Sequence, residues 1–322
     1  MRVLITGADG FIGQHLRSAL AAREIDFRAA VRRCEPHEST ALQAVGDVGP
    51  ATDWRSALDG IDVVVHLAGK AHVLRQMSPT LRGEFMHVNA EGTAALAHAC
   101  AEAGVRRLVY LSSAGVLGNS TPVTRFTSAS KPNPRNIYAA SKLAGEDAAT
   151  SFANRLEVVI VRPPLVYGPR VKANFLRLLR LIDLGVPLPL GAVRNGRSLV
   201  NVWNLCDLLI KALDSPTAAS GLWLVSDGHD VSTPDLFRAI GAAMHKRTCL
   251  LPVPVVMLEA AAKLAGCRAV FRQLCGSFLL DIEDTRRQLE WSPPVSFAEG
   301  IRRTVDWYVK EGRFARGVST SN

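Results

Sequence analysis

A glycine-spaced turn near the start of the chain constrains the fold more than any other feature. Residues 6–13 read Thr-Gly-Ala-Asp-Gly-Phe-Ile-Gly, follow a short apolar segment and open a helical pattern. Gly7 permits a tight turn, Gly10 lets the backbone approach a pyrophosphate, and Gly13 lets the helix pack closely on the strand. A pyrophosphate would then lie at the helix N-terminus, where free N–H groups and the helix dipole favour negative charge. In this strand–turn–helix setting the motif predicts a dinucleotide site, with an unliganded glycine-rich turn as the alternative.

The first 166 residues alternate short apolar runs with longer helical patterns. The strand candidates are residues 3–6, 27–31, 63–67, 107–111 and 158–161. The helix candidates are residues 11–22, 54–58, 84–103 and 137–153. The strand candidates lack polar alternation, as expected for strands that are buried on both faces. This strand–helix alternation predicts an α/β fold with a doubly wound parallel sheet.

The texture of the sequence changes after Tyr167-Gly168-Pro169, where prolines separate shorter helical patterns. The helix candidates there are residues 175–184, 234–244, 256–265 and 297–310. The pattern predicts a dinucleotide-binding domain over residues 1–166 and a smaller, mainly helical substrate lobe over residues 167–322. Two strand-like runs, at 199–202 and 222–225, suggest that segment 198–230 returns to the main sheet.

The distribution of charge favours an anionic small molecule over a nucleic acid as partner. The 322 residues carry 38 Lys and Arg against 29 Asp and Glu, a formal charge of +9. These basic residues are dispersed, and no run of them is longer than pairs such as Arg32-Arg33. A dispersed basic surface is common and lacks the clustered patch of a nucleic-acid binder.

The sequence predicts neither a membrane span nor a metal site. The longest apolar segment, residues 248–258, contains Pro252 and Pro254 and is shorter than the roughly 20 residues that span a bilayer. Met1 leads into the first strand candidate without a signal-peptide pattern, so we expect a soluble, cytoplasmic protein. The six cysteines are scattered without a Cys-x-x-Cys pair, which predicts reduced thiols and no zinc site.

The end of the second strand candidate bears on the choice of dinucleotide. NAD sites usually carry an acid there for the ribose 2′-hydroxyl, whereas this chain has Arg32 and Arg33 and no acid before Glu35. Arginine suits a 2′-phosphate through charge-assisted hydrogen bonds, which favours NADP(H) and leaves NAD(H) possible. The alternative is a pair of solvated arginines. Asp47, after Gly46, is expected to reach the adenine edge.

A tyrosine and a lysine stand four residues apart at the start of a helix candidate. The i, i+4 spacing brings Tyr138 and Lys142 to one face of the helix. A phenol with a pKa near its ordinary value of about 10 is a poor acid–base group at neutral pH, and a nearby cation is expected to lower that pKa. Ser112 and Ser113 follow the strand candidate at 107–111, at the sheet edge where α/β sites lie.

Several motifs together resemble the extended short-chain dehydrogenase/reductases of the NAD-dependent epimerase/dehydratase type. They occur in the family's order at residues 6–13, 66–69, 89–93, 112–113, 138 with 142, and 162–169. The resemblance covers nearly the whole chain. It implies that Tyr138 is the acid–base residue, Lys142 its partner and Ser113 the hydroxyl that orients the substrate carbonyl. It also implies a homodimer formed through the helix candidates at 84–103 and 137–153.

The glycine motif, the second strand end and the resemblance together predict the cofactor-binding residues. Ala68 and Gly69 are expected to line the phosphates, and Asn89 to be a structural polar residue beside them. The full predicted set is Gly7, Gly10, Phe11, Ile12, Gly13, Arg32, Arg33, Asp47, Val48, Leu67, Ala68, Gly69, Asn89, Ser112, Tyr138, Lys142, Pro164 and Val166.

The resemblance also implies that the second lobe binds a nucleoside diphosphate sugar, here a UDP-sugar. Ser113, Asn174, Arg197 and Arg272 are the predicted substrate-binding residues, with Arg268 a weaker candidate. Arg197 falls where related enzymes hold the diphosphate with a fixed cation. The alternative for these lobe residues is an ordinary surface position.

Departures from the family pattern narrow the expected reaction. Related dehydratases carry Thr-Asp-Glu where this chain has Ser112-Ser113-Ala114, and epimerases carry Tyr and Asn where it has Leu117 and Leu165. The segments at 163–169, 171–176 and 187–195 most resemble enzymes of bacterial surface polysaccharide (O-antigen, lipopolysaccharide) synthesis. This resemblance implies reduction of the C4 ketone of a UDP-4-keto-6-deoxy-N-acetylhexosamine. The alternatives are a UDP-hexose 4-epimerase with captive NAD, a steroid- or flavonoid-type ketone reductase, and a non-catalytic NADP(H) sensor.

Overall fold

The computed structural model describes residues 1–34, 41–71, 79–121 and 124–312. The strands in these ranges are β1 Arg2–Thr6, β2 Asp26–Val31, β3 Leu42–Ala44, β4 Val63–His66, β5 Arg107–Leu111, β6 Glu157–Arg162, β7 Leu165–Tyr167, β8 Arg197–Asn201, β9 Leu222–Leu224 and β10 Asp230–Val231. The α-helices are α1 Phe11–Ala21, α2 Arg55–Leu58, α3 Pro79–Met86, α4 Gly92–Glu102, α5 Ile137–Thr150, α6 Ala173–Asp183, α7 Val202–Lys211, α8 Thr233–Ala243, α9 Val255–Leu264, α10 Arg268–Cys275, α11 Glu283–Gln288 and α12 Phe297–Trp307.

Seven of the described strands form one sheet in the order β3-β2-β1-β4-β5-β6-β9, and neighbouring strands run parallel. The chain order reverses between β1 and β4, so the carboxyl ends of these two strands border a crevice at the switch point of the sheet. β4 and β5 are buried along their whole length, as their uninterrupted apolar runs predict. The predicted α/β fold with a doubly wound parallel sheet is confirmed, and β3 adds an edge strand that was not predicted.

The helical pattern at 84–103 is three segments and not one helix. A π-helical segment, His87–Glu91, lies between α3 and α4 and buries Asn89. Such widened turns occur mostly at functional sites. The single-helix prediction was wrong here because hydrophobic periodicity does not reveal a local widening of the helix.

The strand-like run at 199–202 does not join the main sheet, so that expectation was wrong. β8 pairs in parallel with β7 and antiparallel with β10 in a separate three-stranded sheet. β7 begins three residues after β6 ends and offers β8 an edge outside the main sheet. β9 takes the main-sheet position beside β6, and α7 packs against α1.

The apolar side chains form three buried clusters in the described part of the chain. Two of them contain the alternating sides of the main-sheet strands. The third surrounds β7, β8, α6, α8 and α12 in the C-terminal part. Phe11, the first residue of α1, packs against the first and the third cluster. The glycine turn therefore lies where the sheet meets the C-terminal part.

A buried polar cluster around Asp227 links segments of the C-terminal part by hydrogen bonds. The carboxylate accepts hydrogen bonds from the Tyr167 hydroxyl at 2.7 Å, the Asn204 side chain at 2.7 Å, and the backbone and side chain of Asn201 at 2.8 Å each. These donors are neutral, and burial raises the pKa of Asp227 to about 6.

No helix among the described residues has the length and apolar character needed to cross a bilayer. The same residues include no cluster of three or more His, Cys, Asp or Glu side chains suited to a metal ion. All six cysteines are free thiols.

Candidate active site

The glycine turn has the geometry of a phosphate cradle. Gly7 adopts a left-handed conformation with φ of +65°, and a Cβ there would lie 2.7 Å from the backbone nitrogen of Ala68. A Cβ on Gly13 would lie 2.3 Å from the carbonyl oxygen of Gly7. Gly10 is the N-cap of α1 and makes no side-chain cap, so the N–H groups of the first helical turn, including Phe11 and Ile12, are available to an anion. These residues fit the pyrophosphate of a dinucleotide.

The segment after β4 completes this cradle. Leu67 and Ala68 touch the position where Gly7 would carry a Cβ, which brings the ends of β1 and β4 together. Gly69 lies against Asn89, since a Cβ on Gly69 would sit 3.1 Å from the Asn89 Oδ1 atom and 3.8 Å from the Lys142 Nζ atom. The predicted phosphate-lining residues therefore meet at the switch point, beside the predicted lysine.

Asn89 connects the cradle to α5. Its Oδ1 atom accepts from the Lys70 backbone N–H at 2.7 Å, and its Nδ2 atom donates to the Lys70 carbonyl at 3.0 Å and to Ser141 Oγ at 2.9 Å. The side chain is almost fully buried. Its polar groups are thus engaged within the protein, in agreement with the structural part expected of it.

His66 forms a hydrogen-bond chain that the sequence reasoning missed. His66 Nδ1 lies 2.6 Å from Thr6 Oγ1, and Nε2 lies 3.1 Å from Thr93 Oγ1. Thr93 donates to the Asn89 carbonyl, and Thr6 accepts from the Ala68 N–H at 3.2 Å. This polarity assigns the proton to Nε2. Burial lowers the pKa of His66 to about 3, so the ring is neutral. Through Thr6 it is linked to Ala68 of the cradle.

Tyr138, Lys142 and Ser113 meet at the carboxyl edge of the sheet. Asn136 caps α5 by accepting the Ala139 N–H at 2.8 Å, which sets Tyr138 in the first turn. Ser113, which follows β5 after one residue, lies near the Tyr138 hydroxyl, and its Oγ atom accepts the Gly115 N–H at 3.1 Å. Lys142 is buried, with Nζ 4.0 Å from the centroid of the Tyr110 ring.

The ionisation of this trio differs from the expectation. Burial raises the pKa of Tyr138, and the hydrogen bond from Ser113 offsets part of that rise. Burial lowers the pKa of Lys142 to about 7, with the Glu146 carboxylate acting in the opposite direction. The predicted lowering of the phenol pKa was therefore wrong for this arrangement, because desolvation dominates both groups.

A buried ion pair lies behind the trio and was not predicted. Arg162 at the end of β6 donates from Nε to Glu146 Oε1 at 2.8 Å and from an Nη atom to Oε2 at 2.5 Å. Ser112 donates its hydroxyl to the same carboxylate. Both charged side chains are almost fully buried. Ser112 thus points to this pair, whereas Ser113 points to Tyr138. No sequence pattern joins Arg162 to Glu146, although Glu146 lies on α5 one turn after the site residue Lys142.

The end of β2 brings the predicted ribose-side residues together at the surface. Arg32 donates from Nε to the Asp47 carboxylate at 2.8 Å, and both side chains are strongly exposed. Arg33 is also exposed. Val48 is half-buried, and a Cβ on Gly92 would lie 3.0 Å from its Cγ1 atom. Arg32 and Asp47 are therefore linked to each other at the edge of the cradle.

The lobe residues occupy three separate settings. Arg197 opens β8 and is partly buried, and its guanidinium donates to the carbonyls of Gln273 at 2.9 Å and Gly276 at 3.1 Å. Burial lowers the pKa of Arg197. Asn174 lies in the first turn of α6, half-buried. Pro164 and Val166, both half-buried, belong to the segment that leads from β6 through β7.

Arg272 lines a cleft of about 570 Å³ next to the segment that follows Ser113. The cleft is lined by Leu117, Gly118, Asn119, Ser120, Phe126, Lys131, Asn133, Arg135 and Arg272. Three of these side chains are cationic, and none is acidic. Asn133 donates its backbone N–H to the Val116 carbonyl, so this wall is attached to the turn that carries Ser113. The sequence reasoning missed Lys131 and Arg135, whose only signal was their position just before α5.

A glycine cradle at a helix N-terminus and a tyrosine, serine and lysine grouped at the same sheet edge define a Rossmann-type dinucleotide-dependent enzyme. Residues 3–223 match the NAD-dependent epimerase/dehydratase family. The chain belongs to that family, and the resemblance seen in its motifs is confirmed.

Individual relatives agree with this assignment. A Vibrio cholerae protein named UDP-glucose 4-epimerase is 37% identical over 313 residues, covering 96% of this chain and 95% of the relative. An Escherichia coli O157:H7 N-acetyl-α-D-glucosaminyl-diphospho-ditrans,octacis-undecaprenol 4-epimerase is 25% identical over 95% of this chain and 94% of its own length. The solved structure of MoeE5 with UDP-glucose and NAD superposes with a TM-score of 0.77 at 26% identity, covering 96% of this chain and 99% of MoeE5.

Proposed function

We propose that this protein reduces the C4 ketone of a UDP-4-keto-6-deoxy-N-acetylhexosamine with a nicotinamide dinucleotide as reductant. The observation that carries the proposal is the grouping of Tyr138, Ser113 and the buried Lys142 at the sheet edge, beside the glycine cradle. A proton donor, a second hydroxyl and a cofactor cradle in one crevice are the parts that carbonyl reduction requires.

The chain's own residues divide the reaction as follows. Tyr138 donates its phenolic proton to the C4 oxygen as that oxygen gains charge, and Ser113 hydrogen-bonds to the same oxygen. Burial raises the pKa of Tyr138, which keeps the phenol protonated at neutral pH and suits a proton donor. The bound dinucleotide supplies the hydride. Lys142 lies close enough to Gly69 to hold the ribose and to supply positive charge once it is protonated.

Residues around Ser113 argue against water elimination. Ser112 and Ala114 flank it, so neither neighbour brings a carboxylate to the crevice. Ala114 is fully buried, and Ser112 points to the Glu146–Arg162 pair. Dehydration needs an acid and a base at these positions, and reduction does not.

An anionic substrate fits the charge of the lobe. The cleft beside the Ser113 turn has three cationic side chains, and Arg197 donates to the Gln273 carbonyl of α10, the helix whose Arg272 lines the cleft. The substrates named for the Vibrio, Escherichia coli and MoeE5 proteins are all sugars joined to a diphosphate. We assign Arg272, Arg197 and Asn174 to this diphosphate or its nucleotide, and we expect synthesis of a bacterial surface polysaccharide in the cytoplasm as the setting.

For the cofactor we favour NADP(H) over NAD(H). Arg32 and Arg33 lie just beyond β2, where a 2′-phosphate would be bound, and both are exposed. Arg32 contacts Asp47 across the surface, so a 2′-phosphate would compete with that carboxylate for its guanidinium. We further propose a homodimer packed through α4 and α5, whose sequences are rich in alanine.

The first experiment measures oxidation of NADPH, and of NADH in parallel, by purified protein given UDP-4-keto-6-deoxy-N-acetylglucosamine. We expect stoichiometric oxidation and faster turnover with NADPH. Tyr138→Phe should lower kcat by about 10²–10⁴ while the fold, checked by circular dichroism, stays intact. Full turnover by that variant would overturn the assigned role of Tyr138.

A UDP-hexose 4-epimerase is the second candidate, and the 37% identity to the Vibrio cholerae protein of that name favours it. An epimerase returns the hydride to C4 and should interconvert UDP-glucose and UDP-galactose without added reductant. If folded protein oxidises neither cofactor but interconverts these sugars, the reductase proposal fails and the epimerase replaces it. The proton-transfer role of Tyr138 is the same in both reactions.

A further inference from the structure

The exposed apolar side chains of the described residues are concentrated at one end of the molecule. Among the nine large ones, only Met1 lies elsewhere. Five belong to the segment from Leu251 to α10, which we call the hairpin patch. Its members are Leu251, Val256, Met257, Leu264 and Val270. Monomeric proteins seldom leave such a concentration uncovered without a partner.

The other three lie beside the hairpin patch. Leu181 and Leu184 are at the end of α6, and Val186 follows them. Leu188 pairs with Leu250 in a β-bridge, and the Leu251 N–H donates to the Leu188 carbonyl at 2.8 Å. These backbone contacts join the two segments into one surface.

Helix α9 is mostly apolar and yet has no buried residue. Eight of its ten residues are Val, Met, Leu or Ala. Val255 and Leu258 pack against the core of the C-terminal part, while Val256 and Leu264 remain 77% and 90% exposed. A large exposed apolar face is normally covered. The face of α9 with Val256, Met257 and Leu264 therefore needs an apolar environment outside the described part of the chain.

The charge around the hairpin patch indicates what covers it. Between residues 251 and 276 the sequence carries Lys263, Arg268 and Arg272 against one carboxylate, Glu259. Arg268 and Lys263 are exposed next to Leu264 at the turn between α9 and α10. A second copy of the chain would bring like charges together. Apolar side chains bordered by cations instead match the acyl boundary and head groups of an anionic bilayer.

We propose that the hairpin patch docks this protein onto an anionic phospholipid surface. At ten residues α9 is about 15 Å long, too short to span a bilayer, so it lies in the interface with Val256 and Leu264 inserted. The hairpin is tied to the proposed substrate site, because Arg197 donates to the carbonyls of Gln273 and Gly276 at its base. Docking therefore holds the basic cleft, which Arg272 also lines, at the membrane surface.

Co-sedimentation of the full-length protein with vesicles tests the proposal. Vesicles contain phosphatidylcholine alone or an equal mixture with phosphatidylglycerol, at low and high salt. We expect binding to the mixed vesicles and little to the neutral ones. Val256→Gln with Leu264→Gln removes apolar contacts without changing charge and should weaken binding about tenfold or more. Lys263→Gln with Arg268→Gln should weaken it about fivefold for each lost cation at low salt.

Control variants introduce glutamines and remove cations elsewhere. Ala21→Gln with Ala22→Gln alters the exposed end of α1, and Arg55→Gln with Arg302→Gln removes two exposed cations on α2 and α12. These should bind as wild type does.

Three results would overturn the proposal. The first is wild-type protein that stays in the supernatant with mixed vesicles. The second is unchanged binding by the Val256→Gln, Leu264→Gln protein, which would reduce the effect to general basic charge. The third is a dimeric wild type that this variant converts to monomer in sedimentation velocity, which would assign the hairpin patch to a second copy.

Discussion

The catalytic side and the C-terminal part each bury a carboxylate, and they hold it in different ways. Glu146 is paired with the buried guanidinium of Arg162 beneath α5. Asp227 receives hydrogen bonds from the neutral groups of Tyr167, Asn201 and Asn204. Burial raises the pKa of Asp227 to about 6. The comparison teaches that one buried carboxylate is held by a compensating cation, whereas the other is held by neutral donors and has its pKa raised by burial.

The largest effect on stability is expected when the cation is removed from the Glu146–Arg162 pair. Arg162→Met leaves Glu146 buried without its partner and should lower the free energy of unfolding by about 3–5 kcal/mol. Urea unfolding followed by circular dichroism measures the loss. The double variant Arg162→Met, Glu146→Gln is the control, and it should recover much of the stability because no buried charge remains. Equal stability of the two variants would mean that lost packing, not charge, explains the effect.

A change of pH should reveal the contribution of Asp227 to the free energy of unfolding without changing the sequence. The folded-state pKa of Asp227, about 6, lies above its ordinary value of 3.8, so the folded protein binds this proton more tightly than the unfolded chain does. The stabilisation is complete below pH 3.8 and is lost as the pH rises through 6, a change of about 3 kcal/mol.

Asp227→Asn is the matched variant, because an amide accepts from Asn201 and Asn204 as the acid does, and Tyr167 can donate to the Phe297 carbonyl at 3.3 Å instead. Unfolding of both proteins between pH 4.5 and 7.5 isolates the residue, since other carboxylates contribute equally to each. Wild type should lose stability relative to the variant as the pH rises. Parallel curves would contradict the burial of an ionisable Asp227.

The smallest expected effect on stability comes from substituting either of two adjacent serines, Ser112 and Ser113. Ser112→Ala removes one hydrogen bond to Glu146 and should lower the free energy of unfolding by about 1 kcal/mol, with little change in kcat. Ser113→Ala should lower kcat by about 10²-fold, because it removes a donor to the reacting oxygen, and should also cost about 1 kcal/mol through the lost hydrogen bond from the Gly115 N–H. Denaturation and steady-state kinetics on both variants measure the two readouts. An equal loss of kcat in both variants would contradict the proposed division of roles.

Local features were predicted well because their physics is local. The glycine turn needs a left-handed residue at Gly7 and close packing at Gly13, and both requirements leave a pattern within eight residues. The position of Tyr138 and Lys142 one turn apart on α5 follows from helix geometry alone. Asn89 lies against Gly69 of the glycine cradle, although the π-helical segment that buries it was not foreseen.

Features that depend on distant segments were predicted poorly. The ion pair of Glu146 with Arg162 joins a helix to a neighbouring strand, and the ring of His66 is braced by Thr6 and Thr93 from two other elements. The pKa of Tyr138 was expected to fall because a cation was nearby, but desolvation, which depends on everything packed around the phenol, raises it.

The sequence by itself determined the parallel sheet, the dinucleotide cradle and the family, because periodicity, glycine spacing and short motifs act through neighbours along the chain. Only the tertiary structure decided that β8 leaves the main sheet, that Arg32 pairs with Asp47, and that no residue of α9 is buried. Each of these depends on which edge, charge or surface another segment presents. Such competition between partners far apart in sequence has no local pattern, so it is settled only when the chain folds.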